Sequence, residues 1–374
     1  MYPRELLKKI KDRLANREIV ILYGARQVGK TTLLKELLAS NSEAIILNCE
    51  MQSVADILES KDLSLVQALF EDKKIIALDE AQKINNIGSI LKLIHDELPH
   101  YKIIATGSSS FELSNKIIEP LTGRNIKFKL FPLSLKEIKE KNGWLWIINN
   151  LSNLLVFGMY PGIIDLPASD KRIKLSELAS DYLFKDILAY QYIKNPLIIR
   201  KLLKALALQI GSQVSVNELS NMLGIVRPTI ENYLDLLEKN FVIFSLSTFS
   251  TNLRNEIKKS RKYYFYDTGI RNAIINNFNP TINRTDIGGL WENFCISERI
   301  KVNNIKDKKP NIFFWRTYDG AEIDLIEESD GNISTFEFKW QSKRQPKLPK
   351  SFIQNYGSKE LRIIGPSNLH EISK

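Results

Sequence analysis

The chain has 374 residues, enough for two or three domains of about 100–200 residues each. Hydrophobic residues make up 44% and charged residues 26%, a balance typical of globular proteins. The net charge of +10 favours a polyanionic partner, although it equally suits simple solubility. The two cysteines, Cys49 and Cys295, exclude a disulfide framework and show no zinc-site spacing, so we expect a reducing, cytoplasmic setting.

Neither a secretory signal nor a membrane span is expected. The first residues include no apolar segment of the kind that opens a signal peptide. Residues 142–164 carry no charge, but polar and helix-breaking residues interrupt the run, namely Asn149, Asn150, Asn153, Gly158, Pro161 and Gly162. A buried helix followed by a loop is the better interpretation of this segment.

The first part of the chain alternates helical patterns with short apolar runs. Arg4–Ala15 has the spacing of an amphipathic helix, and Thr31–Ala39 is also helical. The runs predicted as strands are Ile19–Tyr23, Ala44–Leu47, Lys74–Leu78 and Lys102–Ala105. Continuous apolar strands between helices indicate a parallel sheet covered on both faces, so residues 1–145 are predicted to form an α/β domain.

The pattern changes twice further along. From about Phe131 to Glu238 long helical segments dominate, and β-rich runs then return. These later runs are Phe241–Leu246, Lys262–Tyr266, Ile312–Arg316, Glu322–Glu327 and Ser334–Lys339. We therefore predict a helical middle domain at 146–250 and a C-terminal α/β domain at 251–374.

Residues 24–31 read Gly-Ala-Arg-Gln-Val-Gly-Lys-Thr, the complete Walker A pattern, between a predicted strand and a predicted helix. Glycines let the loop turn its N–H groups inward, and the helix dipole favours the same phosphate charge. Lys30 would reach the β- and γ-phosphates as a catalytic residue, and the Thr31 hydroxyl would bind Mg²⁺. The predicted ATP-binding residues are Gly24, Ala25, Arg26, Gln27, Val28, Gly29, Lys30, Thr31 and Thr32.

A Walker B arrangement follows at residues 75–80, where an apolar strand ends in two acids. Asp79 would hold Mg²⁺ through water, and Glu80 would orient or deprotonate the attacking water. Two acids at this place could alternatively cap a helix. The complete Walker A pattern upstream favours the catalytic interpretation.

Two further motifs could complete the nucleotide site. The strand Ile103–Ala105 leads into Thr106 and Ser108, hydroxyls that could lie between the two Walker strands near the γ-phosphate. An ordinary Gly-Ser turn is the alternative. Arg124 could stabilise the charge that develops in phosphoryl transfer, within one chain or toward a neighbouring subunit of a homo-oligomer, or could be a surface arginine.

Together these segments resemble a known family. The runs "YGARQVGKTTLLKEL", "IIALDEAQK", "IIATGSSSFEL" and "LTGRNIKFKLFPLSLKEI" are similar to those of AAA-type P-loop ATPases widespread in archaea and bacteria. Many such proteins carry a C-terminal domain of unknown function, which "LFKDIL", "YYFYDTGIRNAI" and "GLWENFCISERI" resemble. The resemblance implies ATP and Mg²⁺ as cofactors.

A helix-turn-helix is predicted in the middle region. Residues 215–224 indicate a capped helix and a glycine turn, residues 226–237 a second helix, and the strand after it could be a wing. In DNA-binding versions Arg227, Thr229 and Asn232 would lead into the major groove. Acidic residues on the same helix would repel phosphate, so a protein-contact module remains open.

The last predicted strands carry an acidic pattern. Asp324, and then Glu337 with Lys339, resemble the restriction-endonuclease-like core, and Glu292 matches its fourth acid. Glu337 and Lys339 are two residues apart on a strand, so they face the same side of the sheet. Glu292, Asp324 and Glu337 could bind Mg²⁺ while Lys339 positions water, giving Asp324, Glu337 and Lys339 catalytic roles. Any half-exposed strand also alternates in this way, so an inert site remains open.

Two functional hypotheses follow. In the first, ATP binding and hydrolysis control DNA binding or cleavage by the C-terminal half. In the second, the chain is an ATP-dependent protein-binding switch with an inert nuclease-like domain. A kinase is disfavoured because the Asp-Glu pair after the strand is suited to activating water.

Overall fold

The computed structural model of the protein describes residues 1–39, 41–107, 121–188, 195–250, 261–317, 319–341, 347–357 and 360–373. The chain divides into two compact units. Unit 1 comprises residues 1–133 and 239–241, and unit 2 comprises residues 134–238 and 242–374.

Unit 1 is built on a parallel sheet. Within its described residues, five strands follow one another in the order β2-β3-β4-β1-β5, and every neighbouring pair is parallel. Their bounds are β1 Ile19–Tyr23, β2 Ala44–Asn48, β3 Ile75–Asp79, β4 Lys102–Gly107 and β5 Asn125–Lys129. The α/β prediction for this part of the chain is confirmed. Because the strands are parallel, the carboxyl ends of β1, β3 and β4 lie at one edge.

Helices follow the strands of unit 1. They are α1 Leu6–Arg13, α2 Lys30–Leu38, α3 Gln52–Ser60, α4 Leu63–Phe70 and α5 Ile87–Glu97. Asp62 starts α4, because its carboxylate accepts the backbone N–H groups of Ser64 and Leu65. Leu58, Phe70 and other apolar side chains are fully buried among them, which accounts for the continuous apolar runs of the strands.

The strand β5 was not predicted. Its sequence alternates polar and apolar residues, and Phe128 is buried while Lys127 is exposed, as at the border of a sheet. It pairs with β1 from Ile19↔Asn125 to Tyr23↔Lys129. Arg124 therefore directly precedes a strand.

Unit 2 begins with helices. They are α6 Leu135–Asn142, α7 Trp144–Phe157, α8 Ala168–Leu188, α9 Pro196–Leu208, α10 Val216–Leu223, α11 Arg227–Lys239, α12 Thr268–Ile274, α13 Ile287–Ile305 and α14 Lys350–Tyr356. Ser134 and Glu137 form a capping box at the start of α6. The uncharged run contains α7, whose Leu154 and Leu155 are buried as expected. Among the described residues, no helix combines the length and apolarity needed to cross a membrane.

One mixed sheet runs through unit 2. Its described strands are β6 Gln213–Val214, β7 Ile243–Thr248, β8 Arg261–Phe265, β9 Asn311–Arg316, β10 Glu322–Ser329, β11 Asn332–Phe338 and β12 Leu361–Ile364, in the order β12-β11-β10-β9-β7-β8-β6. β9, β10 and β11 are antiparallel neighbours, whereas β12 is parallel to β11 and β7 is parallel to β9.

The two expected domain boundaries differ from these divisions. The first compact unit gives way to the second after residue 133, before α6, and not near residue 145. The boundary expected near residue 250 would cut one sheet between β7 and β8, which are antiparallel neighbours. Hydrogen bonds between strands distant in sequence join the two regions.

Candidate functional site

The loop of residues 24–31 joins β1 to α2, as predicted. Gln27 and Gly29 have φ values of 58° and 98°, the left-handed region that turns the backbone sharply. A Cβ atom at Gly24 would lie 2.1 Å from the carbonyl oxygen of Leu130. Only glycine fits position 24, because the end of β5 lies directly against it.

Lys30 is the first residue of α2 and is only 5% exposed. Its Nζ donates hydrogen bonds to the carbonyl oxygens of Gly24, at 3.0 Å, and Ala25, at 2.9 Å. The ammonium group thus reaches back across the mouth of the loop. A buried positive charge and the amino end of a helix therefore coincide at one place.

Asp79 joins the loop to the next two strands of the edge. It ends β3, and its Oδ2 accepts a hydrogen bond of 2.7 Å from the Thr31 hydroxyl. Its Oδ1 accepts one of 2.5 Å from the Thr106 hydroxyl, which is fully buried in β4. Thr106 also accepts the backbone N–H of Glu80 at 3.2 Å. The predicted residues Thr31, Asp79, Glu80 and Thr106 are therefore close together.

Glu80 follows β3 in a left-handed conformation, with φ 56°. Its Oε2 accepts a hydrogen bond of 2.5 Å from the side-chain amide of Gln82. Gln82 is 3% exposed and was missed in the sequence, where it was only a polar residue after the acids. Its amide fixes the carboxylate that was predicted to activate water.

Cys49 lies behind this edge and has no reactive character. Its backbone N–H donates to the carbonyl oxygen of Asp79 at 2.9 Å. Burial, together with the charges of Asp79 and Glu80, raises the pKa of the thiol to about 12. The thiol therefore stays protonated at neutral pH.

Arg124 is not brought to the loop within its own chain. Its carbonyl oxygen accepts the N–H of Ile19, the first residue of β1, whereas the loop follows Tyr23 at the other end of that strand. Its guanidinium binds Asp96 through Nε, at 2.9 Å, and Nη2, at 3.2 Å. Arg124 thus lies at the opposite edge of the sheet, and a role within the same chain does not fit. Action toward a second copy stays a prediction.

Two further predicted residues of this site lie on α2 and in the loop. Thr32 is exposed on α2, and Arg26 is half-buried in the loop. Ser108 lies outside the described residues.

The predicted helix-turn-helix region contains the two expected helices. Ser215 caps α10 by accepting the N–H of Glu218, and Gly224 ends it with φ 67°. Arg227 and Asn232 are exposed on α11, while Thr229 is half-buried. The Arg227 guanidinium donates to Glu231 at 2.8 Å, so an acid partly neutralises this surface. The strand after α11, expected to be a wing, is β7 of the mixed sheet.

Two of the predicted C-terminal acids border an open cavity of about 460 Å³ in unit 2. Glu292 projects from α13 and Asp324 from β10, and both line the cavity. Glu337 lies on β11, and the Lys339 amine is 2.5 Å from Glu337 and 3.9 Å from Asp324. The predicted set of four residues therefore gathers in one region.

Lys262 is the residue of this cavity that the sequence did not reveal. It is 1% exposed, and its Nζ is 3.0 Å from Glu292 Oε1 and also pairs with Glu322. The Tyr264 hydroxyl donates to the same oxygen of Glu292 at 2.5 Å. The sequence predicted only that Lys262 begins a strand, and it lies within β8. Residues 258–260, Lys343 and Arg344 lie outside the described residues.

The acids in this region have raised pKa values. Burial, and then the charge of Asp324, raise the pKa of Glu292 and that of Glu337 to about 7. Burial also raises the pKa of Asp324, against the opposing effects of Lys339 and the N–H of Phe338. Within the described ranges, no three carboxylate, thiol or imidazole groups come together as a metal-binding set. Two lysine amines contact the carboxylates here.

In its fold and its loop geometry, unit 1 resembles a P-loop ATPase domain. Residues 16–139 match a family model described as an AAA domain. Residues 148–281 and 287–369 match two models described as domains of unknown function, DUF8612 and DUF4143. The expected AAA-type domain and C-terminal domain of unknown function are thereby confirmed. The two later models meet between residues 281 and 287, so β7 and β8 fall together in the middle match.

Curated relatives match at low identity. The uncharacterized protein MJ1544 of Methanocaldococcus jannaschii is 27% identical over 267 residues, which are 65% of this chain and 59% of that protein. The uncharacterized protein Rv2008c of Mycobacterium tuberculosis is 26% identical over 342 residues, which are 90% of this chain and 73% of that protein.

A solved structure shares the fold. The Walker-type ATPase PABY2304 of Pyrococcus abyssi aligns with a TM-score of 0.52 and 19% identity, covering 74% of this chain and 96% of that one. This likeness shows a shared fold.

Proposed function

We propose that this protein binds ATP with Mg²⁺ at residues 24–32 and hydrolyses it. Lys30 contacts the β- and γ-phosphates, Thr31 and Asp79 hold the metal, and Glu80 orients the attacking water. The observation that carries the proposal is the pair of hydrogen bonds from Thr31 and Thr106 to Asp79. These two hydrogen bonds connect the loop with β3 and β4, the two strands that a P-loop mechanism requires.

Mg²⁺ suits this donor set. The Thr31 hydroxyl donates a hydrogen bond to Asp79, so the lone pairs of its oxygen remain available to a metal ion. A hydroxyl and a carboxylate are oxygen ligands of the kind that Mg²⁺ prefers. The phosphate oxygens of ATP and water would complete its coordination.

The test is steady-state ATP hydrolysis by wild type, Lys30→Ala and Lys35→Ala. Lys35 lies exposed on the same helix, and its substitution by alanine removes an equal charge. Lys35→Ala is therefore a matched control. We expect Lys30→Ala to lower kcat by about a hundredfold or more, as loss of a donor to developing charge does, and Lys35→Ala to act like wild type. Equal rates in all three proteins would refute the ATP site.

We further propose that ATP turnover is coupled to DNA binding through unit 2. The net charge of +10 and the exposed Arg227 and Asn232 on α11 support this proposal. The expected result is Lys30-dependent hydrolysis that rises with duplex, single-stranded or branched DNA.

A protein-binding switch is the second candidate, and a specific surface favours it. Met222 and Val226, on either side of the glycine turn, are 55% and 67% exposed. Glu231 and Asp235 are exposed on the following helix. Apolar and acidic side chains suit a protein partner better than phosphates. A change in gel-filtration elution with ATP, together with no response to any DNA, would favour this candidate.

The C-terminal cavity extends the DNA proposal to Mg²⁺-dependent cleavage. Glu292, Asp324 and Glu337 do not form a metal-binding set among the described residues, so binding of the metal ion would have to draw the three carboxylates together, and Lys339 would position water. The restriction-endonuclease-like interpretation predicts that Asp324→Ala abolishes cleavage and leaves ATP hydrolysis intact. Cleavage that survives Asp324→Ala would rule this site out, and absence of cleavage in wild type would favour an inert domain.

A further inference from the structure

Phe241 holds an unusual backbone conformation for its residue type. Its φ is 58°, in the left-handed region that bulky side chains rarely adopt, and it is only 4% exposed. Such a conformation persists only where surrounding contacts compensate for it, and it occurs preferentially at functional sites. The contacts of the Phe241 ring therefore need an explanation.

The ring lies against residues at the end of two strands in unit 1. Its centroid is 5.7 Å from that of Tyr23, at an interplanar angle of 38°. The Lys129 amine is 4.5 Å from the Phe241 centroid and 5.0 Å from that of Phe131, so it lies close to both rings. Tyr23 and Lys129 are themselves register partners in β1 and β5.

This cluster directly adjoins the start of the P-loop. Tyr23 is followed by Gly24, and Lys129 is followed by Leu130, whose carbonyl oxygen leaves no room for a side chain at Gly24. The N–H of Leu130 also donates to the carbonyl oxygen of Tyr23 at 2.8 Å. A shift of the Tyr23 ring would therefore be passed to the first glycine of the loop through rigid backbone.

The chain on either side of Phe241 belongs to other elements. Lys239 ends α11, and β7 begins at Ile243. Residues 239–241 belong to unit 1, whereas residues 227–238 and 242–248 belong to unit 2. Phe241 is thus two residues beyond the end of α11, and its ring contacts Tyr23, the residue before the P-loop.

We propose that Phe241 is a positioning residue of the nucleotide site, which couples α11 to the P-loop through Tyr23. The inference rests on the proposed ATP site and adds a route for its regulation. Occupation of the loop by nucleotide changes the end of α11, and by thermodynamic reciprocity a partner bound at α11 changes the affinity for ATP.

The test measures hydrogen exchange of wild type and Phe241→Leu, with and without Mg²⁺ and a non-hydrolysable ATP analogue. We expect nucleotide to slow exchange in residues 24–38 of both proteins, but in residues 227–239 of wild type alone. Slowed exchange of residues 227–239 in Phe241→Leu equal to that in wild type would overturn the inference. Absence of any response at α11 in wild type would overturn it as well.

Kinetics separate positioning from folding. Phe241→Leu should raise the KM for ATP about fivefold or more, within the usual range of allosteric coupling, with a smaller change in kcat. Phe241→Tyr keeps the ring and should restore the wild-type KM. Phe70→Leu is the matched control, because Phe70 is a fully buried aromatic residue of unit 1 that contacts Tyr101 instead. If KM rose equally in Phe70→Leu, the role of Phe241 would be merely structural.

The exchange experiment needs binding and not hydrolysis, so the two proposals can fail separately. Equal hydrolysis by Lys30→Ala and wild type would reject the catalytic proposal, while the nucleotide response of α11 would still decide the role of Phe241.

Discussion

The hydroxyl of Thr106 uses both of its hydrogen-bonding functions at the nucleotide site. It donates to Asp79 and accepts from the N–H of Glu80, which orders the two acids of the Walker B strand relative to each other. It is fully buried, so no water can take its place. A hydroxyl here is therefore needed to hold the carboxylate of Asp79 and the backbone of Glu80, the two residues that are proposed to bind metal and to orient water.

Substitution of Thr106 tests this arrangement. Thr106→Val keeps the shape of the side chain but leaves an acceptor of Asp79 and the N–H of Glu80 without a partner. We expect a loss of about 1–3 kcal/mol in the free energy of unfolding and a lower kcat for ATP. Thr106→Ser, which keeps the hydroxyl, should retain most activity. Urea unfolding and steady-state kinetics on both variants provide the measurement, and equal activities would count against the role.

Arg124 and Asp96 provide a second residue-scale prediction. The hydrogen bond from Arg124, with a further one from His95, lowers the pKa of Asp96 to about 2. Because this pKa is lowered in the folded state, the stabilisation is present above the ordinary value of 3.8 and is lost as the pH falls through about 2. In Arg124→Ala the pKa of Asp96 should rise toward 3.8, as followed by NMR titration of its carboxyl carbon.

The same variant tests action between chains. ATP hydrolysis by Arg124→Ala should equal that of wild type at low protein concentration, because the residue lies away from its own loop. A defect that grows with concentration would indicate that Arg124 acts on a second copy. An equal defect at every concentration would contradict the placement described above.

The residues of the loop could be predicted because local sequence determines them. A strand, a glycine-rich turn and a helix must follow one another, and Lys30, Thr31 and Asp79 have fixed places in that pattern. Arg124 could not be placed, because its position depends on β5 and on the parallel pairing of that strand with β1. Lys262 gave no sign of burial, because basic residues precede it in the chain and its partners come from α13 and β10.

At the scale of elements, α12 is fixed by a single buried carboxylate. Asp267 caps this helix, since its Oδ1 accepts the N–H groups of Gly269 and Ile270. Its Oδ2 also accepts the N–H of Met159 at 2.7 Å, a contact that the sequence could not show. Asp267 thus ties the end of α7 to the start of α12.

Gly158 lies against Asp267, so a side chain at this position would disturb the hydrogen bonds of that carboxylate. A Cβ atom there would lie 1.9 Å from Asp267 Oδ1, and its φ is 71°. Gly143 has a similar φ of 83° but no atom within 4 Å of such a Cβ. Gly143→Ala therefore carries only backbone strain, of about 1 kcal/mol, whereas Gly158→Ala adds a clash and should destabilise by about 3 kcal/mol or more. Urea unfolding of both variants measures the difference in the free energy of unfolding. Equal destabilisation of the two variants would contradict the structural role of the contact between Gly158 and Asp267.

At the scale of the whole molecule, the charge of +10 makes a prediction about salt. If DNA binds through phosphate contacts, the logarithm of its affinity falls linearly with the logarithm of salt concentration, by about 0.9 per contact. Fluorescence anisotropy between about 50 and 200 mM salt measures this slope. Affinity that does not change with salt would point away from a phosphate-binding surface and toward the protein-binding candidate.

The organisation of the molecule was only partly visible in the sequence. The change of pattern near Phe131 coincides with the division after residue 133, because local periodicity changes there. The expected division near residue 250 has no counterpart in the sheet. The pairing of β7 with β9 joins Ser247 to Phe313 across more than sixty residues, and no local pattern reports such a pairing.

The mixed sheet has a consequence for dissecting the protein. A fragment that starts at residue 261 would contain β8 and β9 without β7, the strand that lies between them. Each would then expose an unpaired row of backbone donors and acceptors, which favours aggregation. A C-terminal region cut at residue 250 is thus not a separable module, and two halves cut between residues 250 and 261 would fold best when produced together, as mutually complementing pieces.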